Sequence, residues 1–328
     1  MSILKIDKMQ TLHINSPTVS LGISKNMFIL KESGKIIKKI PKYIVKRVVI
    51  EALGINLSSN FIKECATSKI QIDFIENNIQ YAQLVAYNPA MTKIITMQAG
   101  IMGTPKQIFL AREFIYSKIK NQRNYLKYLS KYHNIINQTI LDLDRYIKKL
   151  DMAKNIKQLM GIEGKCAVLY WNTFRHMAKF RDFHRIKRNA KDVLNASFNY
   201  AYAILHGSIQ SSIIKAGLNP HISFLHIQNS KKPTLSFDLI EEFRAFVVDR
   251  TIVSMVNRNE ELNVDINGLL TLESRRLILK NIKERLNACT KYKGKTLTIN
   301  EIIEGQCWAL WRFISAENEK YRGFIGKF

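Results

Sequence analysis

The chain has 328 residues, a hydrophobic fraction of 46% and a formal net charge of +25, from 51 lysines and arginines against 26 acids. That length allows two domains or one large one, and the apolar content supplies a real core, which excludes wholesale disorder. No apolar run approaches the roughly 18 residues of a membrane span, and the opening MSILKIDKMQ meets charge too soon for a secretory signal, so no membrane partner is expected.

The first 85 or so residues read as β structure. Short β-branched and aromatic runs (MFIL at 27–30, YIVKRVVI at 43–50, IQIDFI at 70–75, YAQLVAY at 81–87) are separated by candidate turns at Glu32-Ser33-Gly34-Lys35 and Glu76-Asn77-Asn78. In KIIKKIPKYIVKRVVI the lysines fit a solvated strand face guarding a sheet edge, and Pro41 marks an edge or a strand boundary. Asn88-Pro89, Gly100, Gly103 and Pro105 then punctuate the chain, making 88–105 a linker or inter-domain helix. Beyond it apolar residues recur at three- and four-residue spacing. The spacing predicts helices over FLAREFIYSKIKNQRNYLKYLSKY, TILDLDRYIKKLDMAKNI, IEGKCAVLYWNTFRHMA and DVLNASFNYAYAILHGSIQSSIIKAG, the last closed by Gly217. After Pro220 the segment carrying His226 reads as an ordered loop. DLIEEFRAFVVDRTIVSMVN resumes helix, and SRRLILKNIKERLNA and INEIIEGQCWALWRFISAE are helical again. The expected fold class is α+β: a small, β-sandwich-like N-terminal domain (1–87), a linker (88–105) and a larger all-α domain (106–328).

The charge is uneven. Residues 112–191 hold 19 basic residues against 6 acidic, an excess of 13 and about half the total. A lysine-rich proteome would raise the charge everywhere; a concentrated excess is the footprint of a phosphate backbone. Cys65, Cys166, Cys289 and Cys307 stand singly with no CxxC pair. That pattern argues against a zinc or disulfide framework and for a reducing compartment, the cytoplasm by default.

Against this basic background His226, Asp238 and Glu241 lie close together in FLHIQNSKKPTLSFDLIEEFR, with Glu163 upstream in GIEGKCAVLYW. Imidazole and carboxylates are ligands for a divalent cation, and a cation held against a polyanion points to phosphodiester chemistry. Asp238 and Glu241 are three apart and share a helix face; Asp238 and Glu242 are four apart and could do the same. Taken singly each has a plainer reading. A DxxE pair is usually solvated, a histidine between Leu225 and Ile227 is usually core, and Glu163 could be a first-turn acid favoured by the helix dipole. No GxxxxGK[ST] phosphate loop and no Ser–His–Asp or Cys–His set is visible, which leaves ATP hydrolysis without a site.

Three segments in order carry more: GIEGKCAVLYW, then FRDFHRIKRNAKDVLNASFNYAYAILHGSIQSSIIKAGLNPHISFLH, then LSFDLIEEFRAFVVDR. Over nearly the whole chain they resemble the CRISPR-associated integrase family known as Cas-one. That family has a GxEGxxAxxYW-like segment, an LNxxxNYxYxxL…AGLxPxxxxLH segment and a SxxxDLxExFRxxVxDR-like helix. The ending LWRFISAENEKYRGF looks like the family's last helix. The resemblance implies metal ligation by Glu163, His226 and Glu241, with Asp238 supporting the site. It also puts Arg244 beside the ligands, suited to a phosphate, and Arg185 and Arg188 in an arginine-bearing DNA-binding stretch. Asn195 and Asn199 match amides whose expected job is packing or capping. Ser223 departs from a common glycine, and the loop with Lys231-Lys232-Pro233 differs in length from some branches; neither removes a ligand.

The implied activity is joining of the 3′-hydroxyl ends of a short DNA duplex to a CRISPR repeat by transesterification, with endonuclease activity when water replaces the hydroxyl. Mg²⁺ or Mn²⁺ is the implied cofactor, the histidine favouring Mn²⁺. The implied partners are double-stranded DNA, a second copy of the chain through the β domain, and the small protein Cas-two. Two other readings share the residues: a stand-alone metal-dependent nuclease on branched DNA, and a non-catalytic DNA-binding scaffold.

Overall fold

The structure, a computed structural model, describes residues 4–6, 11–76, 79–84, 86, 91–132, 137–229 and 232–328. Asn77-Asn78, Asn88-Pro89 and Lys231, singled out above as turn, punctuation and loop, lie outside the described residues. Two compact units divide the chain, residues 1–90 and 91–328.

The first unit contains β1 (Leu4–Ile6), β2 (Thr11–Ile14), β3 (Val19–Ser24), β4 (Met27–Glu32), β5 (Lys35–Pro41), β6 (Arg47–Ile50), β7 (Asn56–Leu57), α1 (Ser59–Thr67), β8 (Gln71–Glu76) and β9 (Ile79–Leu84). They form a five-stranded sheet, β1-β2-β6-β8-β9, and a four-stranded sheet, β5-β4-β3-β7. β6 runs parallel to both β2 and β8; the tight turn between β4 and β5 places Ser33 and Gly34 at positive φ (48° and 78°). One core joins the sheets: Leu12, Val48 and Ile72 from the first meet Leu21, Phe28 and Leu30 from the second. Each large side chain so buried contributes roughly 2–3 kcal/mol relative to exposure. β5 is an edge strand with its lysines in solvent and Pro41 at its end, as its sequence predicts. Helix α1 is an addition to that reading. Ser58 caps it, accepting from the Phe61 N–H at 3.2 Å, and Phe61 and Cys65 fill the core from one face.

The second unit is largely helical: α2 (Met91–Gly100), α3 (Pro105–Leu129), α4 (Asn137–Lys149), α5 (Ile156–Phe174), α6 (Val193–Lys215), α7 (Thr234–Ile240), α8 (Arg250–Asn257), α9 (Leu272–Asn287) and α10 (Ile299–Ile314). Most of 88–105 is thus helix, and Ile94 and Gln98 of α2 are buried within this unit. Between α7 and α8 the chain makes a π-helical turn, Arg244–Asp249, where the sequence predicts unbroken α-helix. A hairpin of β10 (Cys289–Tyr292) and β11 (Lys295–Thr298) also interrupts what reads as an all-α domain. Its turn, Lys293-Gly294, has positive φ at both residues, the turn chemistry that an antiparallel pair requires. Asp192 caps α6 by accepting from the Asn195 N–H at 2.8 Å, and Gly217 (φ 78°) ends it as expected.

The last residues, 316–328, run without regular structure yet are deeply packed: Tyr321 and Phe324 are buried. Phe324 stacks on Phe243 at 4.9 Å, and Phe328 packs on Tyr125 at 5.1 Å. Such contact requires glycine nearby. A Cβ on Gly323 would overlap Ser117, and one on Gly326 would overlap the Phe246 ring. Gly323→Ala is therefore expected to destabilise the protein by about 1–3 kcal/mol. Gly305→Ala, on α10 with no atom within 4 Å of the added methyl, is expected to be neutral or to stabilise by up to about 1 kcal/mol. Urea unfolding of the two variants beside the parent checks both.

Candidate active site

Helical spacing brings one row of side chains from each of four segments to a common cavity of about 600 Å³. α3 contributes Lys118 and Gln122; α5 contributes Met160, Glu163, Ala167 and Trp171. From α6 come Asn199, Tyr202, Ala203 and His206, and from the α7 segment Phe237, Ile240, Glu241 and Arg244. Within each row the members fall at the i, i+3, i+4, i+7 and i+11 positions that share one helix face. The loop before α6 adds Arg185, Lys187 and Arg188, and the loop after it adds His226. The structure thus gathers Glu163, His226, Glu241, Arg185, Arg188 and Arg244 around one space.

Asp238 is placed behind His226. Its carboxylate accepts the backbone N–H groups of Phe224 (2.6 Å), Leu225 (3.0 Å) and His226 (3.0 Å), and also meets His226 Nδ1 at 2.7 Å. It is wholly buried, and its four contacts fix both the loop and the ring. Burial pushes the His226 imidazole toward neutrality, but Asp238 outweighs this and raises its affinity for a proton. With Nδ1 so engaged, Nε2 is the nitrogen left for a ligand, the arrangement that metal-bound histidines use.

The ambiguity between Glu241 and Glu242 is resolved by where each points. Glu242 is turned away from the cavity to the C-terminal segment, accepting from Tyr321 Oη, Gln306 Nε2 (2.9 Å) and the Phe324 N–H (2.8 Å). Burial raises its carboxyl to about 7. Glu241 lines the cavity, flanked by two cations: Arg244 Nε lies 3.0 Å from Oε1 and Lys118 Nζ 2.7 Å from Oε2. Burial alone would raise its carboxyl, yet the Arg244 and Lys118 charges hold it down at about 2. The same Lys118 ammonium donates to Glu163 Oε1.

Among the described residues no group of three or more His, Cys, Asp and Glu side chains is arranged as a metal site. The Lys118 ammonium stands between the two carboxylates, in contact with both. The donor chemistry nonetheless fits a divalent cation. Two carboxylates already converge on one positive charge, and an oriented imidazole lines the same cavity.

Beneath the site lies a charged aromatic layer. Arg244 stacks on Tyr202 at 4.6 Å, and Arg185 lies over Tyr202 (5.5 Å), Trp171 (5.7 Å) and Phe198 (5.8 Å). Arg185 also donates to the side-chain oxygens of Asn195 (3.0 Å) and Asn199 (2.7 Å), which gives those amides their packing role. Asp249 accepts from Tyr170 Oη at 2.7 Å and from Tyr202 Oη. The π turn puts Arg244 and Asp249 on the cavity side together.

Lys118, Lys187, Tyr202, His206 and Asp249 are cavity residues that sequence reasoning did not single out. One signal was available for Lys118. It falls on the buried face of α3, four residues after Phe114 and four before Gln122, where a lysine needs a partner.

The sequence profile described as "CRISPR associated protein Cas1" matches residues 12–284. An Archaeoglobus fulgidus protein named "CRISPR-associated endonuclease Cas1 1" is 29% identical over 335 residues, covering 94% of this chain and 96% of the relative. A casposase bound to integration product shares the fold at a TM-score of 0.70 and 22% identity, covering 96% of this chain and 98% of that one. A chain of a Cas6-RT-Cas1–Cas2 complex does so at 0.71 and 20% identity, covering 99% of this chain and 37% of that one. Fold and site together define a basic, two-unit α+β protein with a carboxylate–imidazole pocket. The chain belongs to the Cas1 family, the Cas-one family that its motifs resemble.

His206, beside Phe237 at a ring separation of 4.6 Å, is pushed down to about 4 by burial and by the Arg244 charge. The unfolded chain then binds the proton more readily than the folded one. His206 should cost the protein nothing above pH 6.5 and destabilise it progressively as pH falls toward 4. His206→Gln is expected to lose less stability than the parent over that window, read as urea midpoints at successive pH values.

Proposed function

We propose that this protein is a metal-dependent DNA integrase of CRISPR adaptation, joining the 3′-hydroxyl ends of a short duplex to a CRISPR repeat by transesterification. The observation that carries the reading is the meeting of Glu163, His226 and Glu241 at one cavity rimmed by Arg185, Lys187, Arg188 and Arg244. Carboxylates and imidazole are what a divalent cation accepts, and the surrounding cations are what a phosphodiester accepts.

In this reading Glu163, Glu241 and His226 Nε2 hold Mg²⁺ or Mn²⁺, with Asp238 fixing the ring. When bound, the cation neutralises the charge that builds on the non-bridging phosphate oxygens and makes the attacking oxygen easier to deprotonate. Arg244, rigid against Tyr202, keeps Glu241 ionised and presents a fixed positive charge to the phosphodiester. Lys187 and Arg188, on the exposed loop before α6, hold the backbone on either side of the reacting bond. Water in place of the hydroxyl gives cleavage, which accords with the endonuclease name of the Archaeoglobus relative.

The integrative reaction draws support from the casposase relative in fold, captured with an integration product. The expected partners are double-stranded DNA, Cas2 (Cas-two), which accompanies the Cas1 chain in a structurally similar complex, and a second copy of this chain. Dimerisation is assigned to the N-terminal unit, whose edge strand β5 leaves Ile36 and Ile37 exposed. No helix among the described residues is long and apolar enough to cross a membrane, and the cytoplasm remains the assigned compartment.

The test is strand transfer of a 3′-hydroxyl duplex into a repeat-bearing plasmid, with Cas2 present. His226→Ala and Glu241→Ala should each abolish joining, as should EDTA. Asp238→Asn should cost about 10- to 100-fold, through the ring it orients. Cleavage without joining would select the nuclease, and folded protein that binds DNA with neither activity would select the scaffold. DNA affinity should fall linearly with the logarithm of salt concentration, and Arg188→Ala should reduce that slope by about one.

A further inference from the structure

Lys118 stands where two carboxylates meet. Its ammonium donates to Glu163 Oε1 and lies 2.7 Å from Glu241 Oε2. With 10% of its side chain exposed, against 16% for Glu163 and 6% for Glu241, this is a sheltered cluster rather than a solvated bridge. Arg244, 3.0 Å from the other oxygen of Glu241, completes a balance of two negative and two positive charges. A divalent ion added to that balance would leave two uncompensated positive charges out of water. One cation must yield. Arg244 is pinned by its ring contact with Tyr202, whereas a lysine has a flexible four-carbon stem and borders about 600 Å³ of open cavity.

We propose that Lys118 is a built-in counter-cation: it holds Glu163 and Glu241 together before metal binds, and a divalent ion displaces it into the cavity, where its ammonium meets the DNA phosphate. The inference rests on the metal reading of Glu163, His226 and Glu241. Its consequence is linkage. Metal and lysine compete for the same carboxylates, and a phosphate that draws the freed ammonium strengthens metal binding, as metal strengthens phosphate binding.

The test uses the intact protein with Mn²⁺ as the probe. Acetylation by acetic anhydride, read by mass spectrometry, should find Lys118 protected in EDTA and several-fold more reactive at saturating Mn²⁺. Lys118→Met should lower the thermal midpoint in EDTA and tighten Mn²⁺ binding by roughly tenfold, because no ammonium has to leave. A lysine with only a structural role would not improve metal affinity when removed. Unchanged labelling of the parent, with Mn²⁺ binding confirmed by calorimetry and lost in Glu241→Ala, overturns the inference and leaves the metal site standing. So does an affinity in Lys118→Met equal to or weaker than the parent's. Absence of Mn²⁺ binding to the parent overturns both. The labelling arm gives its answer even where Lys118→Met fails to fold.

Discussion

Glu163 and Glu241 set two negative charges side by side where water scarcely reaches, and charges so placed persist only beside cations. α3, α5 and the segment after α7 must therefore converge within the length of a lysine side chain. That constraint positions the rest of the helical unit. Lys118 ties α3 to α5 and to Glu241, while Arg244 joins Glu241 to the aromatic layer of α6. The carboxylate pair and its cations are thus the centre of the proposed chemistry and also a point where the helices are registered against one another.

Two buried acids that never reach the cavity support those that do. Asp238 gathers three consecutive backbone N–H groups and an imidazole, converting an irregular loop into a rigid mount for His226. Glu242, next in sequence to Glu241 and pointing the other way, is satisfied by Tyr321, Gln306 and the Phe324 N–H. The last residues of the chain thereby brace the segment that presents Glu241, and Gly323 lets them come that close. Neighbours in sequence serve opposite faces: Glu241 lines the cavity, and Glu242 braces the C-terminal segment.

Much of this was legible in the residues. Short β-branched runs between turns, and then apolar residues at three- and four-residue spacing, marked the division between sheets and helices, and the motif order around Glu163, His226 and Glu241 selected residues that the fold then gathered. Three features escaped for physical reasons. α1 is short and inserts only Phe61 and Cys65, too few positions to establish a period. The π turn at Arg244–Asp249 shifts the helical phase without any glycine or proline to announce it, so the shared face of Arg244 and Asp249 was invisible to α-helical spacing. Lys118 lay hidden in a basic stretch, because in sequence a lysine inside a helix's buried row looks like its less buried neighbour Lys120. Only packing separates Glu241 from Glu242, since both three- and four-residue spacings from Asp238 share a helix face.

The distribution of charge bears on how such a site can work. Most of the basic excess in residues 112–191 lies on α3 and the loop before α6, the same elements that supply Lys118, Lys187, Arg185 and Arg188 to the cavity. A polyanion is drawn to that rim at long range, through charges that salt screens. At the centre, by contrast, the charges of Glu163 and Glu241 are balanced by Lys118 and Arg244. In the proposed reading a divalent ion brings two positive charges and a phosphodiester one negative, so the two together disturb that balance less than the ion alone does. On the proposed reading, metal and DNA phosphate each strengthen the binding of the other at this site.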